Sequence, residues 1–407
     1  MYRIGNRTVA FDAAEFADAI AAAHADHRRP RCLCRVDGVE MYVARLGEGY
    51  IVKRMPNTGS QHAPDCPSFE PPAESSGLGQ VLGSAITEDP ATGETTLELD
   101  FSMLKIAGRS AMPPSGGDSD SVASHGTKLS LRGLLHYLWE QAELTRWQPG
   151  FAGKRSWGTV RRHLLMAAEN KFTRGDPLRS RLYIPEVFSV EQRDAIYARR
   201  MAQWSQAIAA PGKPQHLMLL IAEVKEIAPA RFGYKAVVKH VPDQAFALDE
   251  PLYRRLGRRF EAELALWGAA DDIHLLMIAT FSMAAAGIPT IVELSLMPVT
   301  RRWLPVEDGF EKQLIDRLVA EDRSFVKGLR YNLDARSAVA CATLTDCHGS
   351  TPLLFVAPDW IEEFGGGLQL SDPTAAVWLW SPSCEAMPAL PPRHLHSSTR
   401  GAETALE

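Results

Sequence analysis

Apolar residues along this chain alternate with polar ones in some stretches and recur every three to four positions in others. Two alternating runs separated by a turn predict a β-hairpin. Two such hairpins are predicted near the N-terminus, at Tyr2–Ile4 with Thr8–Phe11 and at Met41–Leu46 with Tyr50–Met55. Each has a glycine-containing turn between its arms, so we expect a small antiparallel sheet in this part of the chain.

The longer period marks the helices. Asp12 and Glu15 have the spacing of a capping box, which predicts a helix from Asp12 to about residue 27. After residue 128, one helical face collects Leu131, Leu134, Leu135, Leu138 and Ala142. Further helices are predicted at 156–170, 190–208 and 251–267, and after Asp308, which has Glu311 at the third position.

Strands are predicted between these helices, at 96–101, 182–184, 217–227, 234–240, 273–281, 290–300, 339–345, 353–357 and 376–380. The stretch Leu275–Val292 carries no charge, which raises the question of a membrane span. It is marginal in length and Gly287-Ile288-Pro289 interrupts it. Two buried strands joined by a loop explain the stretch better, so we predict no membrane insertion.

The order of elements predicts an α+β protein of several domains. A stretch rich in Ser, Gly, Pro and Asp at 112–126 reads as a linker. The predicted parts are an N-terminal β-hairpin module (1–108), a flexible linker (109–127), a basic helical region (128–210), a hairpin–helix–hairpin α+β domain (211–307), an α/β domain with the outline of an inactive nuclease (308–385) and a disordered tail (386–407).

Composition supports this division. The chain has 407 residues, of which 45% are hydrophobic and 23% charged, so it is globular and too long for one ordinary core. The N-terminal residues lack the pattern of a secretory signal, so we expect a cytoplasmic protein whose six cysteines stay reduced.

Three of the six cysteines lie close together, with one histidine. Cys32 and Cys34 are one residue apart, and His62 and Cys66 follow on the far side of the second hairpin. Three thiolates and an imidazole are a usual ligand set for structural zinc. The sequence therefore predicts one Zn²⁺ with a structural role. The alternatives are idle buried cysteines, or a redox pair, which the one-residue spacing fits poorly.

The runs RPRCLC, GVEMYVARLGEGYIVKRMP, TGSQHAPDC, LLHYLWEQAEL, LYIPEVF and LMPVTRRWLPVE resemble domain-of-unknown-function family 1173. Members of that bacterial family share three N-terminal cysteines, which Cys32, Cys34 and Cys66 would match. The resemblance implies a protein encoded on plasmids or integrated conjugative elements, with conjugation or plasmid-maintenance proteins as partners. It implies no catalytic activity.

Residues 127–210 contain 14 Lys and Arg against 7 Asp and Glu, within a chain of net charge −5. Two helices followed by a turn and a strand suggest a winged helix that offers its second helix to DNA. The residues predicted to contact nucleic acid are Lys154, Arg155, Arg161, Arg162, Lys171 and Arg174. The alternative is a basic face that is solvated or packs on an acidic domain of the same chain.

Glu223 and Lys225 on one predicted strand are typical of metal-dependent nucleases of the restriction-endonuclease type, and Asp346 is a further candidate acid. No complete catalytic set is present, and we expect a protein that is not an enzyme. The favoured function is a zinc-binding accessory protein of mobile elements that binds DNA. The alternatives are such a nuclease, or a protein–protein scaffold without nucleic acid.

Overall fold

The computed structural model describes residues 1–105, 126–209, 214–284, 287–357 and 374–394. The N-terminal part forms a five-stranded sheet of order β2-β1-β3-β4-β5. Its strands are β1 Tyr2–Ile4, β2 Arg7–Val9, β3 Arg31–Cys32, β4 Val39–Leu46 and β5 Gly49–Arg54. Both predicted hairpins are confirmed, because β1 pairs with β2 and β4 pairs with β5, in each case antiparallel.

One helix, α1 (Phe16–Ala25), covers this sheet. Ile20 and Ala23 on its buried face pack against Ile4 and Val43 of the strands. The helix begins later than predicted, with Glu15 at its N-cap and no side-chain cap. Asp12 therefore does not cap it.

A second, four-stranded sheet has the order β11-β10-β7-β6. Its strands are β6 Ile86–Glu88, β7 Thr95–Leu97, β10 Lys171–Thr173 and β11 Asp176–Pro177. The strand that follows the predicted recognition helix is β10, and it pairs in parallel with β7 from the N-terminal part of the chain. A winged helix is thus not shown, although the α+β class is.

Helices fill the space beside this sheet. They are α2 Leu78–Val81, α3 Leu131–Gln141, α4 Trp157–Ala167 and α5 Leu178–Arg181, whereas α6 Arg193–Trp204 packs through Trp204 against Met218, Phe246 and Phe281. Serine side chains cap the two longer packing helices, Ser130 for α3 and Ser156 for α4. The leucine face predicted around residue 134 is buried.

The central sheet is built from β12 Leu182–Tyr183, β14 Met218–Pro229, β15 Tyr234–Val238, β16 Phe246–Leu248, β17 Ile273–Met283 and β18 Pro289–Thr300. The short strands β8 (Leu104–Lys105) and β13 (Gln215–His216) pair with each other beside it. Its hydrogen bonding runs β14-β15-β16-β18-β17, and β17 pairs again with β14, so these five strands form a closed ring. Two helices, α7 Glu250–Arg259 and α8 Glu261–Ala269, stand where one helix was predicted.

Both faces of the ring are buried, which explains the uncharged stretch in the sequence. Leu220 and Met277 point into one hydrophobic cluster, whereas their neighbours Ile221 and Ile278 point into another cluster together with α3 and α4. Strands covered on both faces read as continuous apolar runs. The predicted pair of strands is confirmed here, and no helix in the described ranges has the length and apolarity needed to cross a membrane.

The last sheet has the order β22-β21-β20-β19-β9. Its strands are β9 Arg146–Trp147, β19 Phe325–Lys327, β20 Ala342–Leu344, β21 Leu353–Val356 and β22 Val377–Trp380, and α9 Gly309–Ala320 packs on it. Asp308 caps α9 by accepting hydrogen bonds from the backbone N–H groups of Phe310 and Glu311.

The sheets cross the predicted domain boundaries, since β9 from the basic helical region completes the C-terminal sheet beside β19. The division into domains stays a prediction. Most of the predicted linker and residues 395–407 of the predicted tail lie outside the described residues. The tail's first residues are placed, and the carbonyl of Pro391 accepts a hydrogen bond from Arg323.

Candidate metal centre

The first two ligand candidates are set by the N-terminal sheet. Cys32 ends β3, where it lies opposite Tyr2 of β1 and Val39 of β4. Cys34 follows in a turn. This turn brings its sulfur beside the ring of His62.

The second pair lies in a turn that follows that hairpin. A short 3-10 turn at Gly59–Gln61 leads into His62, whose backbone is extended. The backbone N–H of Cys66 then donates to the carbonyl of Ala63 at 2.9 Å, which closes a tight turn. The two ligand candidates of this pair are therefore joined by a turn.

The four side chains converge. The sulfurs of Cys32 and Cys66 are 3.7 Å apart, and Nδ1 of His62 lies 3.3 Å from the sulfur of Cys34 and 3.7 Å from that of Cys66. All four candidate ligand atoms lie within 4.8 Å of one another. Zinc–sulfur bonds of about 2.3 Å at tetrahedral angles would separate two sulfurs by about 3.8 Å, so the spacing fits a tetrahedral metal ion.

The surroundings favour thiolates. Backbone N–H groups of Ala63 and Ser68 each donate to a ligand sulfur at 3.4 Å, to Cys34 and Cys66 respectively. The hydrogen bond from Cys32 lowers the pKa of Cys66 to about 3, with burial opposing and His62 assisting. Cys32 remains the protonated partner of that pair, and a bound metal ion would displace its proton.

His62 has one unusual feature. Its ring is fully buried, and Nδ1 faces the sulfurs. Nε2 is buried without a hydrogen-bond partner in the described part of the protein. Metal-bound histidines usually donate this second N–H to an acceptor that orients the ring. In the described part of the protein, the contacts of Nδ1 with the sulfurs and the packing around the ring orient His62 instead.

Comparison with known proteins gives one match. The family described as a protein of unknown function (DUF1173) matches residues 2–383, which include all four ligand candidates. The chain belongs to DUF1173. No curated protein and no solved structure matches it.

In this DUF1173 protein, the six residues predicted to contact nucleic acid fall into two groups: three are engaged with other parts of the protein and three are exposed. Arg155 is turned inward: its guanidinium donates to the carbonyls of Leu144, Arg146 and Arg302 and lies over the ring of Trp147. Burial lowers its pKa to about 10, so it remains a cation that holds loops together.

Two more of these residues are engaged internally. Lys171 is 4% exposed and lies over the ring of Tyr137, and burial lowers its pKa to about 7. Arg161 is half-buried and donates from Nε to the carbonyl of Ile184 at 3.0 Å. The remaining three, Lys154, Arg162 and Arg174, are exposed. The +7 charge of this segment therefore overstates its surface charge.

The residues of the nuclease hypothesis lie in separate environments. Glu223 is 3% exposed, and its carboxylate binds Lys239 and, at 2.5 Å, Nδ1 of His274. Lys225 is exposed and falls at a bulge in β14, where the register shifts. Asp346 lies at the end of the last sheet, where its carboxylate accepts hydrogen bonds from Nη2 and Nε of Arg323 at 2.8 and 3.0 Å.

Sequence reasoning missed the partners of Glu223. His274 stacks face to face on Trp303, with ring centroids 4.7 Å apart. Burial alone would raise the pKa of Glu223, but the hydrogen bonds from His274 and Lys239 hold it below its ordinary value. A charged residue directly after a run of apolar residues in β14 was the available signal, but its partners lie at the ends of two other strands. These contacts describe a satisfied buried carboxylate.

Proposed function

We propose that this DUF1173 protein is a zinc-stabilised binding protein, in which one Zn²⁺ held by Cys32, Cys34, His62 and Cys66 has a structural role. The observation that carries the proposal is the convergence of four ligand atoms of the types and spacing that zinc prefers. Four protein ligands complete a tetrahedral shell and leave no position for a substrate.

The surrounding core explains why a metal ion is needed. The cluster around the ligands contains few large apolar residues, chiefly Val39, Met41 and Phe69. Each contributes about 1.5 to 3 kcal/mol when buried, whereas ordering the backbone costs about 1 to 2 kcal/mol per residue. Zinc binding at such sites contributes about 10 kcal/mol or more to folding, which supports a role as a cross-link between the two loops.

The test is the metal content and affinity of the purified chain. We expect one zinc per chain, and Cys66→Ser should weaken zinc binding by more than about tenfold, because even outer-shell changes cost that much. Cys384→Ser is the matched control, since that cysteine is exposed and lies outside the cluster. Metal-free wild-type protein with a folded N-terminal module would contradict the proposal.

DNA is the binding partner that we favour. Support comes from Lys154, Arg162 and Arg174, which are exposed and form no ion pair with a described residue. They are the part of the predicted interface that the fold leaves available. The resemblance alone suggests the other partners, conjugation or plasmid-maintenance proteins, and a scaffold without nucleic acid is the competing hypothesis.

Salt dependence tests this second proposal. Three phosphate contacts give a slope of about −2.7 for the logarithm of affinity against the logarithm of salt concentration. Reversing all three charges (Lys154→Glu, Arg162→Glu, Arg174→Glu) should remove most of this slope. Arg231→Glu, an exposed arginine of another segment, should leave it unchanged. If the wild-type protein does not bind duplex DNA at about 50 mM salt, the DNA proposal is rejected and a protein partner is favoured.

A further inference from the structure

A cavity of about 370 Å³ lies between α3, α8 and the start of α9, away from the metal centre. Its size is within the range of small-molecule sites. One wall is apolar and is formed by Leu296, Met297, Pro298, Val339, Phe355 and Val356. The other side carries charged residues, and the state of each of these charges decides what the cavity can bind.

Two pairs of charges are already satisfied. Nζ of Lys327 lies 2.9 Å from a carboxylate oxygen of Glu311, and Arg330 lies 2.8 Å from a carboxylate oxygen of Glu307. These four residues form part of the wall and offer little to a ligand. Asp308 also lines the cavity, and its carboxylate accepts hydrogen bonds from the backbone N–H groups at the start of α9. Two further charged side chains of the lining form no ion pair with a described residue.

Those two are Arg132 and Glu263. Arg132 donates from Nε and Nη2 to the carbonyls of Tyr331 and Leu333, which leaves Nη1 unused and the cation without a carboxylate partner in the described ranges. Glu263 on α8 forms no ion pair and no side-chain hydrogen bond with another described residue, and burial raises its pKa. Arg132 and Glu263 attract each other, and Glu307 and Arg259 add to the attraction, but neither side chain is held in an ion pair with a described residue.

His136 adds a donor. It is 5% exposed, and its Nδ1 accepts a hydrogen bond from the backbone N–H of Tyr331 at 2.9 Å. Burial lowers its pKa to about 3, so the ring is neutral and its one proton is on Nε2. No described residue accepts that proton. This N–H group is therefore available to an acceptor in the cavity, either water or a ligand.

We propose that this cavity binds a free α-amino acid with an apolar side chain. Arg132 and His136 would hold the carboxylate, Glu263 the ammonium group, and the apolar wall the side chain. The arrangement matches a zwitterion because Arg132 and Glu263 have opposite charges, form no ion pair with a described residue and line the same cavity as the apolar wall. This inference is independent of the proposed zinc and DNA functions, so its failure would leave both of them standing.

The test uses calorimetry on the full chain with L-leucine, L-methionine and L-phenylalanine as probes. We expect at least one to bind, and its amide and its N-acetyl derivative to bind about 10-fold to 100-fold more weakly, because each loses one charge-assisted contact. An amide or N-acetyl derivative that binds as tightly as the amino acid overturns the zwitterion assignment. Absence of binding by all three up to about 10 mM overturns the site.

Variants locate the site. Glu263→Gln should weaken amino-acid binding by at least about tenfold while the N-acetyl derivative is unaffected, since it lacks the ammonium group. Glu261→Gln, an exposed neighbour on the same helix, is the matched control. Because Glu263 forms no ion pair and no side-chain hydrogen bond with another described residue, its variant should keep an unfolding midpoint close to that of the wild type. Equal affinities for the two variants would place binding elsewhere and reject the proposal.

Discussion

Replacing Lys327 by methionine is the most informative perturbation of the fold. Lys327 and Glu311 are 3% and 4% exposed, and their charged atoms are 2.9 Å apart. Burial alone would lower the pKa of Lys327, but the Glu311 carboxylate raises it, so the lysine remains charged. Lys327→Met leaves the carboxylate of Glu311 buried, with only the backbone N–H of Glu307 as a donor.

The expected loss is about 3 to 5 kcal/mol, the usual cost of leaving one partner of a buried ion pair alone. The double variant Lys327→Met with Glu311→Gln should recover most of it, because glutamine is neutral and still accepts from Glu307. Lys312→Met is the control: it removes a lysine whose acidic partners, Asp272 and Asp316, are 42% and 39% exposed, and should cost about 1 kcal/mol or less.

Urea unfolding at several pH values measures these differences. Burial already raises the pKa of Glu311, and removing Lys327 raises it further. The folded variant then holds a proton that the unfolded chain releases above its ordinary pKa, so the variant loses stability as pH rises from 5 to 8. The reasoning is refuted if the single and double variants are equally unstable, or if the cost of Lys327→Met does not change with pH.

Three further predictions concern local features. Burial lowers the pKa of Lys171 to about 7, so above that pH the unfolded chain binds more protons than the folded protein. Stability should therefore rise between pH 7 and about 10, the ordinary pKa of lysine. Lys171→Met should abolish this rise in urea titrations. Gly77→Ala would place its Cβ 2.0 Å from the carbonyl oxygen of Arg330 and should lower the free energy of unfolding by about 1 to 3 kcal/mol. Gly150→Ala is the control, because its Cβ would have no atom within 4 Å, and it should cost less than about 1 kcal/mol in the same assay. Asp308→Ala should cost about 0.5 to 2 kcal/mol and Asp308→Asn less, since asparagine still caps α9; equal losses in thermal unfolding would contradict the capping role.

Local patterns foretold most elements of this protein, because each depends on a few neighbouring residues. The two hairpins, the leucine face of α3, the Asp308 cap and the paired strands of residues 273–300 are all confirmed. The four ligand candidates could be named because cysteine is rare and its spacing is distinctive. Their convergence is shown, while zinc as the metal stays a prediction.

What the sequence did not reveal depends on partners far away in the chain. Arg155 and Lys171 look like surface cations in the sequence, but the carbonyls and rings that enclose them come from other segments. The sequence predicted a winged helix here, but β10 pairs with β7, a strand from the N-terminal part of the chain. The cavity near α8 was missed because its residues come from several elements, and no local spacing connects them.

The pairing of β9 with β19 has a consequence for how the chain is made. Trp147 is buried beside Phe325, and almost half of the chain separates the two in sequence. During synthesis this contact cannot form until about four fifths of the chain has been made. Pairings of such long range are formed slowly, so fragments cut near residue 210 should be prone to aggregate from either side of the cut.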